Sequence, residues 1–334
     1  MISKRFGIDL GTANSIVFSE KQGVILVEPT VVALDAEDFS VVAVGEDAKV
    51  MIGKNPEGII VKRPLRSGVI ASYRVTEALL RYFLDKAMGS TRLVRPEVMI
   101  SVPAGITSVE RRAVKKAAIS AGCGKVWLIP EPLAAAIGAK LPIHTSAGNM
   151  IVNLGGGTTE IAILSLNGIV ASNSMRVAGD ALNDSIISHI RRKHGLLIGE
   201  QTAEKIKIEI GSALEIKDPK QMEVRGRDSS SGMPRSITLD SNDTVEAMKK
   251  PLNSIINAIK EVLEVTPPEL SSDVIDRGMV LSGGTSQLNN LDLLLTKATG
   301  VPSYVAEDPM FCVVRGAVEA LKNLEILNKC ITSE

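Results

Sequence analysis

Two short glycine turns carry most of the chemistry that can be read from this chain. Ile8-Asp9-Leu10-Gly11-Thr12 is answered by Val152-Asn153-Leu154-Gly155-Gly156-Gly157-Thr158. In each copy an apolar strand runs into an Asp or Asn, a glycine turn and a Thr. A second apolar strand follows, Ser15-Ile16-Val17-Phe18 or Glu160-Ile161-Ala162-Ile163-Leu164. Glycine permits the tight turn and lets backbone N–H groups close on a polyanion. Two such turns in duplicated halves predict a clamp that grips phosphates from both sides. Gly11-Thr12-Ala13-Asn14 would offer N–H groups and hydroxyls to the terminal phosphates, and Gly155-Gly156-Gly157-Thr158 would close from the other half.

The carboxylates beside these turns have separate tasks. A phosphate repels Asp9, so its use is to hold a hydrated divalent cation; magnesium takes few carboxylates and keeps several waters. The plainer alternative is an Asp that caps its own turn. Asn153 offers an amide oxygen to metal-bound water, but it has no net charge and takes up no proton. Glu131 stands before Pro132 at the start of a helix, where the dipole stabilises any carboxylate. Glu204 and Lys207 are three apart on a helix and share a face.

Certain elements must position these groups. Residues 6–34 read as strands around the first turn. Leu79, Leu80, Phe83 and Leu84 recur at helical spacing within 74–88. Strands follow at Glu97–Val102 and Val126–Ile129, with a helix between them running from Arg111 to Ala121 behind a Thr107 or Ser108 cap. Pro132 suits the first turn of the Leu133-Ala134-Ala135-Ala136-Ile137 helix. The second half repeats the plan: a strand at Gly168–Ser172, helices near 181–194, 202–214 and 243–265, and Met279–Ser282 entering the glycine turn Gly283-Gly284-Thr285-Ser286. Asp228-Ser229-Ser230-Ser231-Gly232 reads as a mobile hairpin tip, and Val313–Leu327 as one long closing helix. Alternating strands and helices in both halves predict two related α/β lobes. The alanine-rich helices at 133–139 and 316–321 lack bulk, which suits a close crossing at a hinge.

Composition narrows the function. The 38 acidic and 38 basic residues balance, against a generic nucleic-acid binder, and 3% aromatics leave little for base stacking. Cys123, Cys312 and Cys330 are scattered, so reduced thiols are expected rather than a zinc or disulfide framework. His189 and His194 are five apart and His144 is distant, so no histidine metal site is expected. The start of the chain reaches Asp9 before a secretory apolar core, and no run approaches the ~18 residues of a membrane span. A cytoplasmic protein is expected.

Taken together, GIDLGTAN (7–14), EPLAAAIGA (131–139), LGGGTTEIAILSLNGIV (154–170), AGDALN (178–183), AEKIKIEIGSA (203–213) and LSGGTSQL (281–288) resemble the actin, Hsp70 and sugar-kinase superfamily. More narrowly, the chain resembles the MreB/Mbl family of bacterial actin-like cell-shape proteins over essentially its whole length. The resemblance implies an α/β, ribonuclease H-like duplicated two-lobe fold with a central nucleotide cleft. Its subdomains would be 1–32 with 70–142 and 311–334, then 33–69, then 143–181 with 246–310, then 182–245. It implies ATP and Mg2+ as cofactors, with Glu131 and Thr158 positioning the attacking water. Gly179, Asp180, Glu204, Lys205, Ile206, Lys207, Gly283, Gly284, Thr285 and Ser286 would lie along the nucleotide.

The family usually has Asp where this chain has Asn153, so slowed hydrolysis with intact binding is expected. The protein is expected to polymerise with itself, in paired protofilaments, on the inner face of the cell membrane. There it would meet anionic lipid and the membrane proteins of wall elongation. Only six residues precede Gly7, too few for an amphipathic anchor. Leu93 and Val94, between Arg92 and Arg95, form an apolar loop that could dip into lipid instead. A hydrolysis-impaired nucleotide sensor or scaffold is the first alternative. A small-molecule kinase of the superfamily is the second, although no sugar-site motif is evident. An Hsp70-like chaperone would need a further peptide-binding domain.

Overall fold

The computed structural model describes residues 4–66, 69–70, 72–89 and 94–327. The first apolar runs become the strands Arg5–Leu10, Asn14–Ser19 and Gly23–Pro29, an antiparallel meander. Glu97–Val102 adds in parallel to the first of them, and Lys125–Pro130 adds in parallel beyond that. The second half builds the same five-stranded sheet. Asn149–Leu154, Thr159–Ser165 and Gly168–Met175 form the meander, while Met279–Ser282 and Ser303–Val305 are the parallel additions. Strand order and direction match in the two sheets, so the repeated glycine turns occupy equivalent hairpins.

Each sheet has its own apolar core. In the first lobe, Phe6, Ile8, Val98 and Ile100 pack on Leu79, Leu80 and Phe83 of the Tyr73–Met88 helix. In the second, Val152, Ile161 and Ile163 pack on Ile186, Ile206 and Ile259. Two small sheets extend the lobes. Val32–Asp35, Val41–Val44 and Ile59–Lys62 form one, and Leu196–Leu197, Gln221–Asp228 and Pro234–Asp240 the other. They fall almost wholly inside the segments 33–69 and 182–245.

A third core lies between the lobes, around the helices Glu131–Gly138 and Cys312–Lys322. Their backbones touch. A Cβ on Gly138 would overlap the carbonyl of Cys312, and one on Gly316 the carbonyl of Ala134. The small residues thus allow the close crossing expected of them.

Several elements differ from the sequence expectation. The closing helix is not continuous to Leu327; it stops at Lys322, and a short turn of helix resumes at Leu324. Asn323 leaves helical geometry there and bonds back to Glu319. The helices Pro268–Arg277 and Leu291–Thr299 were not anticipated. The Asp228 tip is tied rather than loose. Its carboxylate accepts from the backbone N–H groups of Ser230 and Ser231, at 3.0 and 2.9 Å, and from Arg235 at 2.7 Å. These donors hold its pKa well below the usual carboxylate range. His189 is buried on the Gly179–His194 helix. Cys123 and Cys312 are buried free thiols, pushed up to about 12 and about 11 by burial, and Cys330 lies outside the described residues.

Candidate nucleotide cleft

The two hairpin turns meet. A Cβ on Gly156 would come within 2.6 Å of the Ala13 Cβ, and one on Gly157 within 2.5 Å of the Thr12 hydroxyl oxygen. Only glycine lets the turns face each other so closely. Behind them opens a cavity of about 690 Å3. It is lined by Asp9, Gly11, Thr12, Ala13 and Asn14 from the first lobe. Asn153, Gly155, Gly156, Gly157, Thr158, Gly179, Asp180, Glu204, Lys207, Gly283, Gly284 and Thr285 line it from the second, with Glu131 at its floor. The size falls within the range of small-molecule sites. Ile208, Ile210, Ile216 and Leu288 add apolar side chains to the lining.

Each turn is held by a threonine from outside it. Thr30 donates its hydroxyl to the Gly11 carbonyl at 2.6 Å, and its N–H to the Ala13 carbonyl at 2.9 Å. Thr285 donates its hydroxyl to the Gly155 carbonyl at 2.7 Å. The Gly155 and Gly156 carbonyls also accept from the N–H groups of Gly179 and Asp180, at 3.2 and 2.7 Å. Tied carbonyls leave the turns rigid. Thr30 was legible in the sequence only as part of a strand; its role comes from the fold.

The carboxylates gather at the floor. Asp9 accepts from the Ser101 hydroxyl at 2.8 Å, and burial raises its pKa to about 6. Glu131 is 7% exposed, and burial followed by the neighbouring charges of Glu160 and Asp9 holds its pKa well above the usual range. Glu160, also buried, is raised by burial, while Ser174 and the Ala104 N–H oppose the shift. Asn153 and Glu160 are cross-strand partners. Asn153 turns its amide nitrogen toward Glu131, at 3.5 Å, and its oxygen accepts from the Ser282 hydroxyl at 3.1 Å.

Among the described residues no three acidic, Cys or His side chains form a metal cage. A magnesium ion on nucleotide phosphates needs only one or two carboxylates plus waters. Asp9, desolvated and facing the cavity, has the chemistry for that contact.

Three of the expected residues lie elsewhere. Lys205 is exposed and pairs with Glu209 at 3.7 Å. Ile206 is buried in the second lobe's core. Ser286 bonds the Gly283 carbonyl at 2.7 Å and shapes the turn without lining the cavity. Glu204 and the run from Lys207 to Gly211 line the cavity, while Lys205 and Ile206 between them face away from it. Leu93 lies outside the described residues, and Val94 is half-buried.

The duplicated sheets, crossing helices and hairpin cleft together define an actin-like two-lobe fold. The model of the MreB/Mbl protein family matches residues 3–329. The cell shape-determining protein MreB of Haemophilus influenzae is 49% identical over 98% of this chain and 95% of its own. The crystal structure of MreB5 of Spiroplasma citri bound to AMPPNP superposes with a TM-score of 0.93 at 32% identity, covering 98% of this chain and 99% of that one. The fold recurs in the MamK double helical filament, at a TM-score of 0.81, 22% identity, and coverage of 96% and 99%. The chain belongs to the MreB/Mbl family.

Proposed function

We propose that this protein is an ATP-binding bacterial actin homologue. It polymerises into membrane-associated filaments that control cell shape and organise wall synthesis. The observation that carries this reading is the meeting of two glycine hairpins, one from each lobe, over a cavity of nucleotide size. A polyphosphate between them neutralises nothing on the turns themselves, but receives N–H donors from both lobes and so favours the closed form. The bound nucleotide in the Spiroplasma citri MreB5 structure supports this reading.

In this account Asp9 would hold magnesium, which would supply charge neutralisation at the terminal phosphates. Glu131 orients the attacking water with Thr158, and burial beside Glu160 and Asp9 raises its pKa and so its affinity for a proton. Asn153 neither binds the cation strongly nor accepts a proton, so turnover is slow and filaments are long-lived. In this reading the segments 33–69 and 182–245 are the small subdomains of the two lobes. Membrane contact through the 91–95 loop and assembly with wall-elongation proteins rest on the family relationship. Filaments pelleted with magnesium ATP but not without nucleotide, and bound to anionic vesicles, test the reading. Phosphorylation of a small molecule without assembly would replace it with the kinase alternative.

A further inference from the structure

We propose that a charged latch across the cleft, built on Arg63 and Lys49, sets the rate at which nucleotide leaves. Arg63 follows the first lobe's small sheet and reaches two acids of the second lobe, Glu200 and, at 3.9 Å, Asp180. Lys49 of the first lobe pairs with Glu204 at 3.4 Å, and the Gln201 side chain donates to the Lys49 carbonyl at 2.9 Å. The small sheets share no strand, so these contacts tie together parts of the molecule that could otherwise separate.

The latch is joined to the cleft. Asp180 and Glu204 line the cavity as well as meeting Arg63 and Lys49. On their inner side stands Lys207, whose ammonium donates to the Gly179 carbonyl at 3.0 Å. The acids are thus sandwiched between an inner cation and two outer ones. Release requires the hairpins to part, because a ligand gripped from both lobes cannot leave while both turns face it. Parting the lobes breaks the outer pairs.

Charges this exposed, from 29 to 40% on the pairing side chains, are screened by salt. Each pair contributes a factor of roughly 2 to 5. The latch is a brake on opening that salt can loosen. It rests on the nucleotide reading above, and hydrogen exchange in nucleotide-free protein tests it separately.

The experiment is release of a fluorescent ATP analogue (the N-methylanthraniloyl ester) from monomeric protein, chased with excess ATP. Lys49→Ala with Arg63→Ala is expected to release about tenfold faster than wild type. Raising the salt from 50 to 500 mM should accelerate wild type and leave the variant nearly unchanged. Arg63→Glu with Glu200→Arg should be slower than Arg63→Glu alone. In nucleotide-free protein, exchange over 46–52 and 200–206 should rise in the double alanine variant. Unchanged release, no recovery in the charge swap, or unchanged exchange overturns the latch. Failure of wild type to bind the analogue, with exchange altered as expected, overturns the nucleotide reading and leaves the latch standing.

Discussion

The amide nitrogen of Asn153 faces the carboxylate of Glu131 at 3.5 Å, both buried at the floor of the cleft. An amide tolerates that neighbour; a carboxylate repels it. Asn153→Asp is therefore expected to crowd a site that already holds Asp9, Glu131 and Glu160. A like-charge pair at this range costs on the order of 1–3 pKa units. In magnesium-free buffer the variant should melt a few degrees below wild type, and magnesium ATP should close the gap. Equal melting temperatures without magnesium would contradict the packing described.

Gly157 is the tightest point of the clamp. A methyl there would meet the Thr12 side chain, and overpacking of this kind costs about 1–3 kcal/mol. Because the strain arises where the lobes meet, Gly157→Ala should weaken ATP binding at least tenfold while the lobes stay folded. Calorimetric titration measures the affinity, and circular dichroism checks the fold.

Thr30 and Thr285 serve the two turns in the same way. Replacing either by Val keeps the shape and removes one hydrogen bond to a turn carbonyl, at about 0.5–1.5 kcal/mol. Thr30→Val should loosen the first turn and Thr285→Val the second, each lowering ATP affinity roughly five- to tenfold. Affinity unchanged in both would mean that water replaces the hydroxyls and the turns need no tie.

His189 is buried with neither ring nitrogen hydrogen-bonded, and burial lowers its pKa below the ordinary 6.5 against the opposing charge of Glu246, 3.9 Å from Nε2. The unfolded chain then binds the proton more readily than the fold does. Stability is full above pH 6.5 and falls as the pH drops through the folded value. Chemical denaturation between pH 5 and 7.5 should show this loss in wild type, and less of it in His189→Phe. Parallel pH profiles would remove His189 as the cause.

Much of this architecture was legible because local signals agreed. Asp9 and Gly11 to Asn14, with their flanking apolar runs, specify a hairpin without help from the rest of the chain. Leu79 to Leu84 announced a helix by spacing alone, and Thr107 caps its helix as expected, accepting from the Glu110 N–H at 3.2 Å. What the sequence hid depends on distant partners. Nothing near Thr30 says that its hydroxyl will reach Gly11, and nothing near Arg63 names Glu200, 137 residues away. Glu160 read as part of an apolar strand, yet folding buries its carboxylate beside Glu131. Lys205 and Ile206 were grouped with Glu204 by adjacency, and the helix turned them to solvent and core.

The central claim is that nucleotide in this cleft drives assembly and that Asn153 mutes its hydrolysis. Assembly and phosphate release, followed together in one tube after adding magnesium ATP to wild type and Asn153→Asp, test it most directly. The account predicts wild-type filaments with little phosphate released, and filaments of Asn153→Asp that release it faster. No ATP-dependent assembly, or a release rate that does not rise in the variant, would contradict it.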